Sequence, residues 1–525
     1  MIKLTIDHIN TEVPAGTTLM QAAARLGIPI PSMCYLAGHT NHPSCMVCVV
    51  KDTVSDRFVT SCSYPAQEGM NIITHSPDVR EARREALELL LSDHVGDCEA
   101  PCRVSCPAFM NIPVMNRLIA SGNFDEALRV VREEIALPLI LGYICPAPCE
   151  KACRRKPLGG AVSICLLKRI CAQDETRRIS GLGKTQEKNG KRVAIIGTGP
   201  AGLSAAFYVL RSGHECVLFD KNELAGGTLR YSIAEEFLPR TSLDAEIDII
   251  RQMGAIFRLN TTITSEFFES DIYGKFDAVI LASGTRSQQP VSIFGIHDDT
   301  RESGIDKYTL STSRQGLFAC GSIIRDQQMA VRSAAQGRLA ALEAELYMKT
   351  HEPKRILPKF NSAFGLLKEP ELSEYLKESI AGARLDPGAG FHGGFTRAEA
   401  ILEAQRCMHC DCRKPITCKL RIYAAEYQAN RKRYAGSERK MLKKEFHHDL
   451  VVYEPEKCIR CGLCVEIAQR EGENTGLTYV GRGFDVRISV PFSGTVKDGL
   501  TKSALACVEA CPTGALAEKR SIKEK

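Results

Sequence analysis

Twenty-three cysteines stand in this chain of 525 residues, and most fall into groups whose spacing suits thiolate ligation of metal. Cys34, Cys45, Cys48 and Cys62 come first. His94 then opens a run with Cys98, Cys102 and Cys106 at steps of four, like one stripe of a helix, and Cys145, Cys149 and Cys153 repeat the step. Cys407, Cys410, Cys412 and Cys418 crowd into twelve residues, and Cys458, Cys461 and Cys464 precede a remote Cys511 followed by proline. Tight groups separated by long gaps, in a chain whose start alternates like a strand, point to metal in a reducing compartment, not to disulfides. So many groups, with a nucleotide-type glycine turn between them, favour iron–sulfur clusters over zinc, and the chemistry is then one-electron transfer.

These thiols need elements to hold them. Residues 1–77 read as a small β-rich domain, with strand "IKLTI", a turn, strand "HINTEVP" and the helix "TLMQAAARLG". A two-iron rhombus takes two thiolates per iron, and a loop bearing three cysteines plus the remote Cys62 can wrap it. This spacing resembles the [2Fe–2S] domain that opens the large iron–sulfur subunit of respiratory NADH dehydrogenase and of multimeric iron hydrogenases. At the other end, a Cys458-x2-Cys461-x2-Cys464 loop closed by Cys511 suits one [4Fe–4S] cubane. The intervening "GRGFDVRISVPF" also resembles the respiratory subunit. Ala468 stands where a two-cluster ferredoxin would carry a further cysteine, and Cys507 is not needed as a ligand.

Between these ends, "KRVAIIGTGPAGLSAAFYVLRSGHECVLFDK" reads as strand, glycine turn, helix and strand. Gly197 permits the tight turn, Gly199 lets backbone approach a pyrophosphate, and Gly202 permits close helix–strand packing. Pro200 and Ala201 open the helix, while Asp220, beside Lys221, can bind a ribose hydroxyl. The motif alone does not separate FAD from NAD. "AGGTLRYSI", with Gly226, Gly227 and Arg230, resembles the flavin-contacting segment of the glutamate synthase small-subunit family. "FDAVILASGT" (Gly284) and "GLFACGSI" (Gly321, Ser322) resemble its later FAD segments, except that serine stands where the family usually has aspartate. An empty, purely structural Rossmann domain is the alternative. The family's second dinucleotide domain would fall at 286–315, and thirty residues are too few for one. The nicotinamide domain is therefore expected to be missing.

The helical stretch 78–180 resembles the amino-terminal domain of the glutamate synthase small subunit, dihydropyrimidine dehydrogenase and transhydrogenase small flavin subunits. That resemblance implies two [4Fe–4S] clusters bound crosswise, one by His94, Cys98, Cys102 and Cys153, the other by Cys106, Cys145, Cys149 and either Cys165 or Cys171. Cysteine is usual where His94 stands. A histidine there resembles the His-plus-three-cysteine cluster of the respiratory subunit, and a neutral imidazole in place of thiolate raises a cluster's potential. The group Cys407–Cys418 is expected to hold a further [4Fe–4S], with a zinc ion as the alternative, although its C-x-C step is tight for a cubane. Cys216 and Cys320, in apolar strand contexts, read as core.

The composition, 44% apolar and 25% charged with net charge +6, is that of a soluble globular protein, so nucleic acid is not indicated. No apolar run reaches the length of a membrane span, and a cytoplasmic location is expected. The basic run 430–446 reads mainly as a solvated helix face.

The expected architecture is multidomain, α+β and α/β. A β-grasp [2Fe–2S] ferredoxin-like domain covers 1–77, a helical two-cluster domain 78–180 and a truncated Rossmann-like FAD domain 181–350. A linker follows at 351–400, then the cysteine segment 401–450 and a ferredoxin-like [4Fe–4S] domain at 451–525. The resemblances imply an electron-transfer subunit carrying FAD, one [2Fe–2S] and three to four [4Fe–4S] clusters. It would link an NADH dehydrogenase-like FMN subunit to a hydrogenase, formate dehydrogenase or ferredoxin partner, with electron bifurcation as one mode. A self-contained FAD-dependent NAD(P)H or ferredoxin oxidoreductase and a non-catalytic iron–sulfur scaffold are the alternatives.

Overall fold

The structure is a computed structural model that describes residues 1–39, 42–174, 186–285, 291–296, 304–326, 328–352, 359–436 and 438–519. The expected boundary at 180–181, residues 286–290 and 297–303 of the short connection, and 353–358 of the expected linker lie outside the described residues. The chain forms two compact units: residues 1–100, 358–378 and 409–525 make the first, and 101–357 with 379–408 make the second.

The first unit opens with a five-stranded sheet. β1 (Ile2–Ile6) pairs antiparallel with β2 (Ile9–Val13) through Asp7 and His8, both at positive φ, as a two-residue hairpin requires. With β3 (Val49–Asp52), β4 (Arg57–Thr60) and β5 (Asn71–Ile73) the order is β2-β1-β5-β3-β4, and β1 and β5 run parallel. Alternation in "IKLTI" sends Leu4 and Ile6 inward, where they meet Leu19, Ala22 and Ala23 of helix Leu19–Arg25. Thr18 and Gln21 close that helix start with a capping box.

The second unit begins with short helices, among them Ile112–Ala120, Phe124–Arg132, Pro138–Ile144 and Ile164–Gln173, the first and third with proline in the opening turn. The four-residue stripe begun by His94 is not one helix. Only Pro101–Ser105 is helical, starting at a proline that cannot extend a preceding helix, so His94 and Cys98 lie in irregular backbone.

A parallel sheet follows, built from β6 (Arg192–Ile196), β7 (Glu215–Phe219), β8 (Ile256–Arg258), β9 (Ala278–Leu281) and β10 (Leu317–Ala319) in the order β10-β9-β6-β7-β8. Its central strands are nearly continuous apolar runs, as burial on both faces demands. Buried Glu246 accepts the amides of Leu139 and Ile140 at 2.9 Å each and so ties its own helix, Arg240–Gln252, to the amino terminus of helix Pro138–Ile144.

The stretch expected as a linker instead contains helix Glu369–Leu376 and the start of helix Arg397–Gln405, with Tyr375 and Phe395 buried. The described residues of the basic run 430–446 form no helix, and several of its charges have partners within the first unit. Arg433 pairs with Glu81, Glu85 and Glu88 along helix Pro77–Ser92, Arg439 with Glu371, and Lys440 with Asp93. The carboxy-terminal part pairs β11 (Val451–Tyr453) with β14 (Leu516–Glu518) and β12 (Thr478–Val480) with β13 (Arg487–Ser489). Helices Leu463–Arg470 and Ala504–Ala510 pack against each other there.

Candidate functional site

In the first unit, the β3 hairpin and the loop before it gather Cys34, Cys45, Cys48 and Cys62, all nearly inaccessible. The sulfurs of Cys34 and Cys45 are 3.4 Å apart. Hydrogen bonds from Cys45 and Cys62 lower the pKa of the Cys34 thiol, and one from Cys62 brings Cys48 down to about 7. Four buried thiols gathered by one loop and hairpin form a donor set suited to a two-iron core.

Cys458, Cys461, Cys464 and Cys511 line one small cavity together with Leu463, Ile488 and Leu516. The amide of Arg460 donates to the Cys458 sulfur at 3.3 Å. Cys507 lies outside that cavity lining, its thiol turned to the Cys464 carbonyl and Ser503. Cys34, Cys45, Cys418 and Cys461 share one apolar cluster. Among the described residues no three His, Cys, Asp or Glu side chains are drawn in to hold a single metal ion, for which zinc would need sulfurs at ~2.3 Å.

The second unit brings Cys106, Cys145, Cys149 and Cys165 around the ammonium of Lys168. Burial opposes this charge, but the four thiols outweigh it and hold the Lys168 pKa above its ordinary value. Cys145 and Cys165 share a hydrogen bond, and the Cys165 amide is fixed by Glu150 at 2.9 Å. Cys171 instead sends its thiol to the Leu167 carbonyl within its own helix.

Cys153 and Cys407 flank the guanidinium of Arg155, and Cys102 packs against the same apolar cluster as both. His94 and Cys98 belong to the first unit and Cys102 and Cys153 to the second. Cys407 likewise belongs to the second unit, and Cys410, Cys412 and Cys418 to the first. Neither expected four-ligand set of these residues is gathered within one unit. Cys216 and Cys320 are fully buried, and desolvation alone pushes the Cys320 thiol up to about 12.

A cavity of about 560 Å³ opens at the carboxyl ends of β6, β7 and β9. Gly197, Gly199, Pro200, Ala201, Asp220 and Lys221 line one wall, and Gly227, Gly284, Gly321 and Ser322 others. Gly197 has φ +106°, and a Cβ there would stand 2.3 Å from the Ala282 carbonyl. No other residue fits that turn. At Gly199 a Cβ would meet nothing within 4 Å, which leaves a cradle at the amino terminus of helix Pro200–Arg211. Gly202 backs the turn from below, and Gly337 of helix Ala330–Thr350 sits where a Cβ would lie 2.1 Å from the Ala201 carbonyl.

Asp220 accepts from the Thr198 amide and hydroxyl at 2.8 and 2.6 Å and from Asn222, so it braces the turn as well as facing the cavity. Gly226 and Arg230 do not line the cavity; Arg230 bonds to the Ala225 carbonyl and Asp244. A glycine cradle at a helix amino terminus, opening on a cavity with both polar and apolar walls, fits a dinucleotide such as FAD.

Sequence reasoning missed Thr261, Thr262 and Asp326 in the cavity wall, since loops after β8 and β10 carry no spacing signal. It also missed the buried lysines Lys168 and Lys457, whose signal is a lone basic residue in apolar surroundings beside a ligand cysteine. No helix among the described residues is long and apolar enough to cross a membrane.

Three family models match successive stretches of the chain. Residues 1–77 match the 2Fe-2S iron-sulfur cluster binding domain, 77–179 the dihydropyrimidine dehydrogenase domain II with its 4Fe-4S cluster, and 191–305 the pyridine nucleotide-disulphide oxidoreductase domain. The NADPH-Fe(3+) oxidoreductase subunit beta of Geobacter sulfurreducens is 36% identical over 37% of this chain and 30% of its own. The NADP(+)-dependent formate dehydrogenase subunit beta of Moorella thermoacetica is 33% identical over 37% and 31%. The glutamate synthase [NADPH] small chain of Bacillus subtilis is 32% identical over 41% and 46%. The chain therefore spans less than half the length of these relatives. It is an oxidoreductase-type chain that joins a [2Fe–2S] domain, a helical [4Fe–4S] domain and a flavoprotein-type Rossmann domain.

Proposed function

We propose that this chain is a cytoplasmic electron-conducting subunit of a multi-subunit oxidoreductase. It relays electrons between an NADH dehydrogenase-like FMN subunit and a hydrogenase, formate dehydrogenase or ferredoxin partner. The observation that carries this reading is the direct pairing of β9 with β10. The two strands that would flank a nicotinamide domain lie side by side, and the connection between them is too short to build one. When bound, FAD would exchange electrons in ones and twos and the clusters singly, which makes the flavin the place where electron bifurcation would divide a pair.

The chain's own residues bind, orient and insulate. The Gly197–Gly202 turn offers amides and a helix amino terminus to a pyrophosphate, buried thiols present anionic donors, and Lys168 and Lys457 offset charge beside them. The shared apolar cluster of Cys34, Cys45, Cys418 and Cys461 supports close, dry passage from the [2Fe–2S] loop to the carboxy-terminal set.

The test is anaerobic. Iron and flavin are quantified in the purified chain, NADH and NADPH are added separately, and flavin and cluster absorbance are followed. The reading expects FAD that dithionite bleaches and neither nucleotide reduces quickly. Rapid bleaching by either nucleotide would establish the self-contained oxidoreductase instead, the reading favoured by relatives whose names include NADPH. Protein free of flavin would point to the scaffold.

A further inference from the structure

Three candidate donors of the first unit, His94, Cys98 and Cys412, stand near the buried side chain of Lys457. The Cys412 amide donates to the Cys98 carbonyl at 3.2 Å, which sets the two cysteines side by side. The Ser362 amide donates to the Cys98 sulfur at 3.4 Å, and the Glu99–Arg421 ion pair, at 2.5 Å and buried, pins the chain just beyond. Cys412 presses its sulfur on Gly514, where a Cβ would stand 2.4 Å away, and the Lys457 stem lies over Gly96, where a Cβ would stand 2.6 Å from its Cε. Cys418 completes the group: it is buried at the start of helix Lys419–Glu426, and Arg421 of that helix is the partner of Glu99, the residue after Cys98. His94 is buried beside Lys457, and its Nδ1 has no hydrogen-bond partner among the described residues. A buried ring nitrogen without a protein partner is available to ligate a metal.

From this juxtaposition we infer that His94, Cys98, Cys412 and Cys418 hold one [4Fe–4S] cluster. The cluster is thus closed by the carboxy-terminal "CDCRKPITC" segment and not by Cys102 and Cys153. The tight Cys410-x-Cys412 step is then no difficulty, since Cys412 alone of the pair serves this set. Cys407, beside Cys153 and Arg155 in the second unit, serves another. The inference rests on the proposed function only in requiring that the thiol sets hold iron–sulfur clusters, and a failed nucleotide experiment would leave it intact.

The test uses the full chain, purified anaerobically, with iron analysis and electron paramagnetic resonance during redox titration. The variants are His94→Cys, Cys412→Ser, Cys418→Ser and Cys407→Ser. His94→Cys is expected to keep the iron content while shifting one [4Fe–4S] signal to lower potential. Cys412→Ser and Cys418→Ser are expected to alter that same signal, and Cys407→Ser a different one. The [2Fe–2S] signal serves as the control for folding.

If the serine variants lose that control, pulsed resonance on the unmodified chain decides. A nitrogen coupling on one [4Fe–4S] cluster that His94→Cys abolishes supports the set, and its absence overturns it. The inference also falls if Cys407→Ser and Cys412→Ser remove one and the same signal, or if His94→Cys moves none.

Discussion

Replacing Lys168 by methionine keeps most of the length of the side chain and removes one buried positive charge from beside four thiols. Lys168 is 3% exposed, and its ammonium donates to the Leu141 carbonyl at 3.2 Å while facing Cys165, Cys145, Cys149 and Cys106. A unit charge roughly 7 Å from a cluster centre, at an effective dielectric of about 20, contributes about 2.4 kcal/mol. With a charge moved through about 100 mV worth about 2.3 kcal/mol, the shift is about 100 mV. Its sign is fixed, because reduction adds negative charge and the ammonium favours the reduced form. Lys168→Met should therefore lower the midpoint of one [4Fe–4S] cluster by about 100 mV, with iron content unchanged, and Lys168→Arg should largely restore it. The assay is a redox titration followed by electron paramagnetic resonance. An unmoved set of potentials, or a rise, would refute the placement of this charge beside a cluster.

Two further perturbations probe the frame that holds these sites. In Glu371 burial pushes the carboxyl up, but Arg439 and the amides of Leu442 and Lys368 outweigh it and hold the pKa at about 2. A depressed pKa contributes stability that is fully present above the ordinary carboxylate value and is lost as pH falls through about 2, here about 3 kcal/mol. Hydrogen exchange at the Leu442 amide should accelerate over that acid window, and Glu371→Gln should remove most of the pH dependence; an unchanged profile would refute it. Gly337→Ala forces a Cβ to within 2.1 Å of the Ala201 carbonyl and displaces the helix that opens on the flavin cavity. At an overpacking cost of about 1–3 kcal/mol, flavin content and thermal midpoint should both fall while iron is retained, and unchanged values would count against the cavity as the flavin site.

What could be read from the sequence was local. Alternation in "IKLTI", the Gly197–Gly202 turn and the apolar runs of β6 and β9 each carry their own conformational signal, and the sheets they build are the expected ones. The grouping of thiols depends on packing between distant segments. The resemblance implies that Cys98 belongs with Cys102, and no spacing signal reveals that a helix starts at Pro101 between them or that the Cys412 amide bonds to the Cys98 carbonyl. The basic run 430–446 looked solvated because the sequence does not reveal that Glu81, Glu85 and Glu88, along one helix face, stand opposite Arg433. Cys165 and Cys171 share one helix, and only the surroundings separate a thiol facing Lys168 from one bonded to its own backbone.

The division of the first unit into three separated stretches also sets an order of events during synthesis. The sheet of β1 to β5 can close while the chain is still emerging, and the second unit can follow it. In the proposed ligand set Cys98 waits for Cys412, which lies more than half the chain length further on. At a synthesis rate of roughly 5–20 residues per second, that wait lasts on the order of 15–60 s. Throughout that interval its thiol stands uncommitted, open to oxidation or to an incorrect metal. With that ligand set, loading of this part of the chain is a late step, and its yield depends on how long a nascent thiol can be kept reduced.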